Sequence, residues 1–303
     1  MKIRLATRGS KLSLAQTEIV IQELRKVRND IEVEVVIVKT RGDIHQDKPL
    51  QHIGGKGLFE REVNLAVIEG RADAAVHSLK DVPSEVHPNL VLAMTPPRGP
   101  MGDVLVSRGR AKSIWDLPHG AVVGTSSSRR ASMLKSVRSD LVIKPIRGNV
   151  DTRLRKLVSG EYDAIVLARA GLERLKPSLD VGYWDIPVDI LPPAPGQGII
   201  GVYTLYSSTA IIELLSKASN NKTMVQARAE RAFLAYAGGG CHVPLGGYAE
   251  VKGGSIFFRA SMASPDGSKR VNIEVEGDAD MPTQVGIDAA LELRARAKER
   301  GII

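Results

Sequence analysis

Cys241 is the only cysteine of the 303-residue chain, and it lies within a glycine-rich run between Gly238 and Gly247. A single thiol cannot form an intramolecular disulfide. Glycine lets the backbone pass close to a bulky group and adopt left-handed dihedrals. We therefore interpret this segment as a loop that presents one sulfur atom to a ligand. The alternative is a small buried thiol, because free cysteine is among the most buried residue types.

Basic and hydroxyl residues follow nearly every predicted strand, and in open α/β sheets ligands bind beyond the carboxyl ends of the strands. Hydroxyls and N–H groups at a helix N-terminus, with arginine beside them, bind carboxylate or phosphate. The residues concerned are Arg8, Ser10, Ser78, Lys80, Thr125, Ser127, Arg129, Arg130, Arg147 and Arg153. Any one of these arginines could be a solvated surface charge, and Arg174, on a predicted helix, fits that interpretation better. Their shared position nevertheless favours a ligand with many acidic groups.

Asp81 is the one acid within this basic lining, in the segment from His77 to Pro83. One interpretation is that its carboxylate stabilises the turn before the proline. The other is that it accepts a proton or faces a cation that develops during a reaction.

Strands alternate with helices along the chain, which predicts an α/β fold with mostly parallel sheets. The first predicted set has strands at 2–6, 33–38 and 74–77 and helices at 12–26 and 58–69. Its second strand reads as buried, because the run is continuously β-branched. The second set has strands at 121–124 and 144–147 and helices at 129–137 and 151–158, with Asp151 as an N-cap.

The two sets share a junction, because the segment from Gly70 to Val76 resembles the one from Gly160 to Val166. In each, a helix ends at glycine and a strand begins again at Asp-Ala. We interpret this as two lobes of similar topology, joined through the proline-rich segments 95–100 and 191–198.

Residues after about 220 read as a helix at 224–236, a hairpin with strands at 255–263 and 271–276, and a helix at 284–299. The predicted domains are a first lobe of 1–98 with 198–216, a second lobe of 99–197, and a C-terminal domain of 217–303 that carries the cysteine. Two lobes joined by a double crossing predict a cleft, where ligands usually bind.

Composition narrows the classes of function. The formal net charge of +8 predicts an anionic partner. Nucleic acid is the usual candidate for a basic protein, but aromatic residues make up only 4%, and no recognition helix or basic tail is evident. We expect neither a signal peptide nor a membrane helix, and with one cysteine we expect a cytoplasmic protein. We also expect no metal site, because the histidines show no paired ligand spacing and read as surface or turn residues; they are His45, His52, His77, His87, His119 and His242.

Taken together, the motifs resemble the porphobilinogen deaminase family, also called hydroxymethylbilane synthases. The matching stretches occur in the family's order and cover about the first 250 residues. They are Ala6-Thr7-Arg8, Thr40-Arg41-Gly42-Asp43, Gly54-Gly55-Lys56-Gly57-Leu58-Phe59, His77-Ser78-Leu79-Lys80-Asp81-Val82-Pro83, Gly124-Thr125-Ser126-Ser127, Arg129-Arg130, Arg147-Gly148-Asn149-Val150, Thr152-Arg153 and Gly239-Gly240-Cys241.

The resemblance implies an α/β fold of two periplasmic-binding-protein-like lobes with a hinged cleft, plus a small α+β C-terminal domain. It implies a dipyrromethane cofactor bound by thioether to Cys241, and an enzyme that joins four porphobilinogen molecules with loss of ammonia to give a linear tetrapyrrole. Asp81 would be the catalytic residue, a carboxylate that stabilises the cation formed when ammonia leaves. Matching positions that would bind the acidic groups of cofactor or substrate are Arg8, Arg129, Arg130, Arg147, Arg153 and Arg174. Hydrogen bonds would come from Ser10, Ser78, Lys80, Thr125, Ser127 and Gln197, and a mobile loop would carry Lys56 and Phe59.

Two other classes of function stay open at this stage. The chain could be a non-catalytic two-lobed binding protein or sensor for a polyanionic ligand, since one fold hosts many functions. Nucleic-acid binding by the basic surface is the third. The cysteine favours the enzyme, because a sensor has no need of a thiol in a glycine loop. We further expect a monomer that acts on a small molecule, away from nucleic acid and membranes.

Overall fold

The computed structural model describes residues 1–40, 60–109, 111–176, 181–238 and 243–303. They form two compact units: Met1–Gly99 with Gly198–Ala227, and Pro100–Gln197 with Arg228–Ile303. The first unit is discontinuous in sequence, because the chain leaves it after Gly99 and returns at Gly198. The division into three domains stays a prediction. Within the described ranges, no helix is both long and apolar enough to cross a bilayer.

The first unit is built on a five-stranded sheet of order β2-β1-β3-β10-β4. Its strands are β1 (Lys2–Arg8), β2 (Glu32–Val38), β3 (Ala74–Ser78), β4 (Leu90–Met94) and β10 (Ile200–Leu205). Strands β1, β2 and β3 are parallel, whereas β10 is antiparallel to both of its neighbours. Two apolar clusters, one with α1 (Lys11–Val27) and α6 (Thr209–Lys217) and the other with α2 (Arg61–Ile68), make up its core.

Strand β2 differs from the prediction of a buried strand. It lies at the edge of the sheet, and 38% of Val35 and 58% of Ile37 are exposed. A continuous apolar run is typical of a strand covered on both faces, but it does not reveal whether the strand is central or at an edge.

The second unit contains a sheet with the same plan, of order β7-β6-β8-β5-β9. Its strands are β5 (Asp103–Ser107), β6 (Val122–Gly124), β7 (Val142–Lys144), β8 (Ala164–Ala168) and β9 (Gly182–Ile186). Strands β6, β7 and β8 are parallel, and β5 is antiparallel to β8 and β9. Its helices are α3 (Ser128–Lys135), α4 (Val150–Val158) and α5 (Arg169–Leu175). The matching strand orders confirm that the two lobes share a topology.

The repeated junction shares its glycine conformation and one hydrogen bond in both lobes. Gly70 and Gly160 have φ of 72° and 88°, a region that favours glycine. Downstream, the carboxylate of Asp73 accepts the backbone N–H of Arg4 at 2.7 Å, and that of Asp163 accepts the N–H of Val122 at 2.8 Å. The Gly…Asp-Ala pattern therefore marks the point where each sheet receives its third parallel strand.

Two local predictions in this unit were wrong. The strand predicted at 144–147 lies earlier, at Val142–Lys144. The N-cap of α4 is Asn149 and not Asp151, since the Oδ1 atom of Asn149 accepts the backbone N–H of Thr152 at 2.9 Å. Both acids and amides cap helices, so composition alone does not choose between these positions.

The C-terminal part of the second unit is a three-stranded antiparallel sheet with helices packed on it. It comprises α7 (Asn221–Tyr236), which begins in the first unit, β11 (Leu245–Lys252), β12 (Ser255–Ala263), β13 (Arg270–Asp278) and α8 (Pro282–Glu299). The predicted hairpin is β12–β13, and β11 was not predicted. Phe233 of α7 packs on Phe258 with ring centroids 4.8 Å apart. The two long helices approach so closely that a Cβ on Gly286 would lie 2.1 Å from the carbonyl oxygen of Ala229.

Candidate active site

In the first unit, the predicted residues gather at the carboxyl edge of β1 and β3. Arg8 ends β1 and Ser78 ends β3, and these strands are paired in parallel register. Ser78 is tied to α1, because Gln16 Nε2 donates to its Oγ at 2.7 Å. Ser10 is the N-cap of α1 and accepts the N–H of Ser13 at 3.2 Å. Lys80 follows in a short 3-10 helix, Leu79–Asp81. The structure thus brings these side chains to one edge of the sheet.

Asp81 is the last residue of that 3-10 helix, and its side chain is exposed. The helix is anchored by Leu79, whose side chain is buried and whose N–H donates to the carbonyl of Ile199 at 3.0 Å. The negative charge of Asp81 also reaches buried Glu60, whose pKa is raised chiefly by burial and further by Glu62 and Asp81. Within the described residues we find no hydrogen bond from the turn to the Asp81 carboxylate. The geometry therefore does not support a turn-stabilising role.

His77 departs from the expectation of a surface or turn residue. It lies within β3, is buried, and its Nε2 lies 2.9 Å from Asn64 Oδ1 on α2. Burial, and to a smaller extent the positive charge of Arg8, lowers the pKa of His77 to about 3. The ring is therefore neutral at physiological pH and adds no positive charge beside Arg8. It also contacts Tyr203 edge-on, with ring centroids 6.0 Å apart.

In the second unit, two hydroxyls shape the N-terminus of α3, which follows β6. Thr125 Oγ1 accepts the N–H of Ser127 at 3.2 Å, and Ser127 Oγ accepts the N–H of Arg130 at 3.3 Å as the N-cap. Ser126, which the sequence analysis did not single out, fastens this turn to the next one by donating to the carbonyl of Ile146 at 2.8 Å. Hydroxyls at the start of a helix serve as caps; Ser127 has that role here, and Thr125 fixes the turn that precedes it.

Arg147 and Arg153 are placed by the turn after β7. Gly148 has φ of 105°, a region that favours glycine. A Cβ there would also lie only 2.6 Å from Thr152 Cγ2, so both the backbone conformation and the lack of space disfavour a side chain at this position. Arg153 Nε donates to the Gly148 carbonyl at 2.9 Å. Arg147 is half-buried and makes no hydrogen bond through its side chain to the part of the chain that is described. The ligand-binding role of Arg147 therefore stays a prediction.

Arg129 and Arg130 are almost completely buried, with 5% and 7% of their surface exposed. Both bind the carboxylate of Asp103, which is itself 1% exposed. Arg129 reaches Oδ2 at 2.8 Å, and Arg130 reaches Oδ1 at 2.6 Å. Burial lowers the pKa of Arg129, the charge of Asp103 opposes that shift, and the charge of Arg130 adds to it. Two positive charges thus lie beside one negative charge in a buried place.

Gln197 and Arg174 are the remaining predicted site residues of the second unit. Gln197 is 1% exposed, and its Nε2 donates to the carbonyl of Met101 at 2.7 Å and to Asp103 Oδ1 at 3.1 Å. The neighbouring Gly196 N–H donates to the carboxylate of buried Glu230 at 2.6 Å. This bond fixes the returning segment, the stretch just before the chain re-enters the first unit at Gly198. Arg174 lies on α5, and burial lowers its pKa.

Cys241, Lys56 and Phe59 lie outside the described residues, so their predicted roles stay predictions. Across the described ranges, no group of three or more acidic, histidine or cysteine side chains is arranged to hold a metal ion.

Sequence reasoning missed Asp103. Strand β5 is antiparallel, so its first residue, Asp103, pairs with Ala168, the last residue of β8. This places Asp103 at the carboxyl edge of the parallel strands, beside Arg129 and Arg130. The one local signal was an acid at the start of an otherwise apolar strand, which needs a buried partner.

The described residues thus form a protein of two α/β lobes, whose strand edges carry basic side chains and, on the first lobe, the exposed carboxylate of Asp81. Two family models match the chain: "Porphobilinogen deaminase, dipyromethane cofactor binding domain" over residues 3–213 and "Porphobilinogen deaminase, C-terminal domain" over residues 224–295. The chain belongs to the porphobilinogen deaminase family.

Curated relatives agree with this assignment. A probable porphobilinogen deaminase from Hyperthermus butylicus is 68% identical, covering 100% of this chain and 99% of the relative. One from Pyrobaculum islandicum is 52% identical, covering 99% and 100%. Among solved structures, the chain is similar to a probable amino-acid ABC transporter extracellular-binding protein from Bacillus subtilis. That match has a TM-score of 0.42 at 12% identity and covers 72% of this chain and 90% of the other.

Proposed function

We propose that this chain is a transferase that joins four porphobilinogen molecules head to tail, with release of ammonia, and yields hydroxymethylbilane for tetrapyrrole and haem biosynthesis. The chain would be built on a dipyrromethane cofactor held by a thioether to Cys241. Membership of the family over residues 3–213 and 224–295 supports this activity.

The structural observation that carries the proposal is the buried pair Arg129 and Arg130, with Asp103 between them. The three side chains sum to one net positive charge. An excess charge that is withdrawn from water is costly unless an opposite charge meets it. Pyrrole rings with acetate and propionate groups supply such charges, so the residues present fit a polycarboxylate cofactor and substrate.

The basic residues at the strand edges would hold these carboxylates. In the first unit they are Arg8 and Lys80, with Ser10 and Ser78 adding hydrogen bonds. In the second they are Arg129, Arg130, Arg147, Arg153 and Arg174, with Thr125, Ser127 and Gln197. Lys56 and Phe59 would contribute from the segment between β2 and α2. When bound, dipyrromethane supplies the pyrrole ring to which the first substrate is joined.

Asp81 would be the catalytic residue. As ammonia leaves porphobilinogen, positive charge develops on the pyrrole, and the exposed Asp81 carboxylate would stabilise it and accept a hydrogen bond from the pyrrole N–H. Removing one preorganised electrostatic partner costs about 100-fold or more in kcat. We expect Asp81→Ala to keep substrate binding and to lose nearly all ammonia release. Normal ammonia release by this variant would mean that the acid lies elsewhere.

Intact mass spectrometry tests the cofactor directly. The purified protein should be heavier than its sequence by one dipyrromethane, and Cys241→Ala should have the unmodified mass. A folded wild-type chain without added mass would contradict the proposal.

We also expect Arg147→Leu to stall elongation or cofactor assembly, seen as an altered distribution of enzyme-bound intermediates. Wild-type kinetics in this variant would mean that Arg147 is a solvated surface charge.

We further propose a cytoplasmic, monomeric enzyme whose three domains follow the predicted boundaries. Sedimentation of the loaded protein would test the oligomeric state.

A further inference from the structure

The buried carboxylate of Asp103 accepts four hydrogen bonds from three side chains. Its Oδ1 accepts from Arg130 Nη2 at 2.6 Å, from Arg130 Nε at 3.1 Å and from Gln197 Nε2 at 3.1 Å. Its Oδ2 accepts from Arg129 Nη2 at 2.8 Å. One carboxylate therefore fixes two adjacent arginines and the glutamine of the returning segment.

The arginines are held from a second side by backbone carbonyls. Arg129 Nη1 donates to Pro192 at 2.6 Å, and Arg130 Nη1 donates to Val166 at 3.0 Å. These bonds set the plane of each guanidinium, because the donors of arginine form a rigid fork. Each fork offers five N–H donors; two of Arg129 and three of Arg130 are occupied in these bonds, and the others keep a fixed direction.

The burial of this cluster gives Asp103 a second effect. Without its charge, two like charges would lie side by side in a place that is almost closed to water, and they would repel each other. With it, the pair retains one net positive charge, enough for one further carboxylate.

We propose that Asp103 is a positioning residue for the reaction: it orients the guanidinium groups of Arg129 and Arg130 and sets their joint charge so that they bind one carboxylate of the cofactor or the growing substrate chain. This inference rests on the proposed function. It differs from a purely structural ion pair because it predicts changes in ligand binding that exceed any change in stability.

Asp103→Asn tests the proposal with little change in shape. The amide keeps one acceptor for Arg130 and turns its NH2 toward Arg129, which has only donors. We expect kcat/KM for porphobilinogen to fall about 100-fold, as for loss of one member of a buried charge pair, with a raised KM and a smaller share of chains carrying the cofactor by intact mass. Asp185→Asn on the neighbouring strand is the control, because Asp185 is exposed and, among the described residues, its ion-pair partner is Arg169; we expect wild-type kinetics.

Asp103→Glu keeps the charge and moves it by one methylene, so it addresses the case in which the asparagine variant does not fold. We expect a folded protein with KM raised about tenfold, because a displaced carboxylate turns both guanidinium groups. In Asp103→Ala, added formate should restore activity in a saturable way, whereas chloride at equal ionic strength should not. A merely structural pair would show lower thermal stability with unchanged KM.

The outcomes separate the two proposals. A wild-type chain that carries no dipyrromethane defeats the proposed function whatever the variants do. A loaded wild type, together with Asp103→Asn or Asp103→Glu at wild-type KM and cofactor content, overturns the positioning role alone.

Discussion

The buried histidine of β3 gives a prediction about how stability depends on pH. The pKa of His77 is about 3 in the folded chain, against an ordinary value of 6.5. Between these values the unfolded chain binds a proton that the folded chain does not. Stability from this residue is therefore fully present above pH 6.5 and is lost as the pH falls toward 3.

The size of the effect follows from the two values. Each pH unit below 6.5 costs about 1.4 kcal/mol, so at pH 5 the penalty from His77 is about 2 kcal/mol. Because Gln does not titrate and its amide can still donate to Asn64, His77→Gln removes the penalty and keeps the bond. From pH 7.5 to pH 5, the free energy of unfolding of the first unit should fall by about 2 kcal/mol more in wild type than in the variant.

The two units need separate probes, because a chain with two units is not bound to unfold in one step. Pulsed hydrogen exchange of β1 and β3 peptides in urea reports the first unit. Both tryptophans, Trp115 and Trp184, lie in the second unit, so their fluorescence serves as an internal reference. His87→Gln is the matched control, since this side chain is exposed and lies in the first unit. A stability difference between wild type and His77→Gln that stays constant with pH would refute the reasoning.

Two further predictions concern the second unit. Gly286→Ala places a Cβ 2.1 Å from the Ala229 carbonyl oxygen. This overpacking should outweigh the helix preference of alanine and destabilise the unit by roughly 2 kcal/mol. The effect would be measured as a lower urea midpoint in tryptophan fluorescence. Gly109→Ala, with open space around it, should be neutral there, and an unchanged Gly286→Ala would mean that the two helices separate freely. Asn149→Ala should cost about 1 kcal/mol as a lost N-cap, whereas Asp151→Ala should cost clearly less by the same assay, and the reverse order would restore Asp151 as the cap.

The parts of the fold that the sequence predicted are those set by local chemistry. The junctions at Gly70 and Gly160 were recognisable because a positive φ and a restarting strand require particular residues within a few positions. The hairpin at Gly267 was recognisable for the same reason, with φ of 79° at its turn. Strand β2 was assigned to the right place, but its edge position depends on which strands pair with β1, and that is a property of distant sequence.

The same distinction holds for the candidate site. Arg8, Ser78 and Lys80 could be predicted at one edge because parallel strands end together. Asp103 could not, because it reaches its arginines through an antiparallel strand. That strand enters the sheet of the second lobe directly after the first crossing, and its partners are 26 and 27 residues away. Pairings of that kind depend on topology and leave no short motif.

The shared plan of the two sheets shows how the lobes differ in chemistry. Strand β3 corresponds to β8, since each is the first strand after its junction glycine and begins four residues beyond it. Counting on from these strands, Asp81 corresponds to Gly171 and Leu79 to Arg169. The first lobe thus carries the acid at a place where the second has no side chain. The second lobe contributes the buried arginine pair and the arginines after β7. An acid among those arginines would be neutralised by them, as Asp103 is. Asp81 lies instead at the first lobe's own edge and forms no ion pair with any described residue. Under the proposed function, its charge would be available for a substrate that becomes cationic.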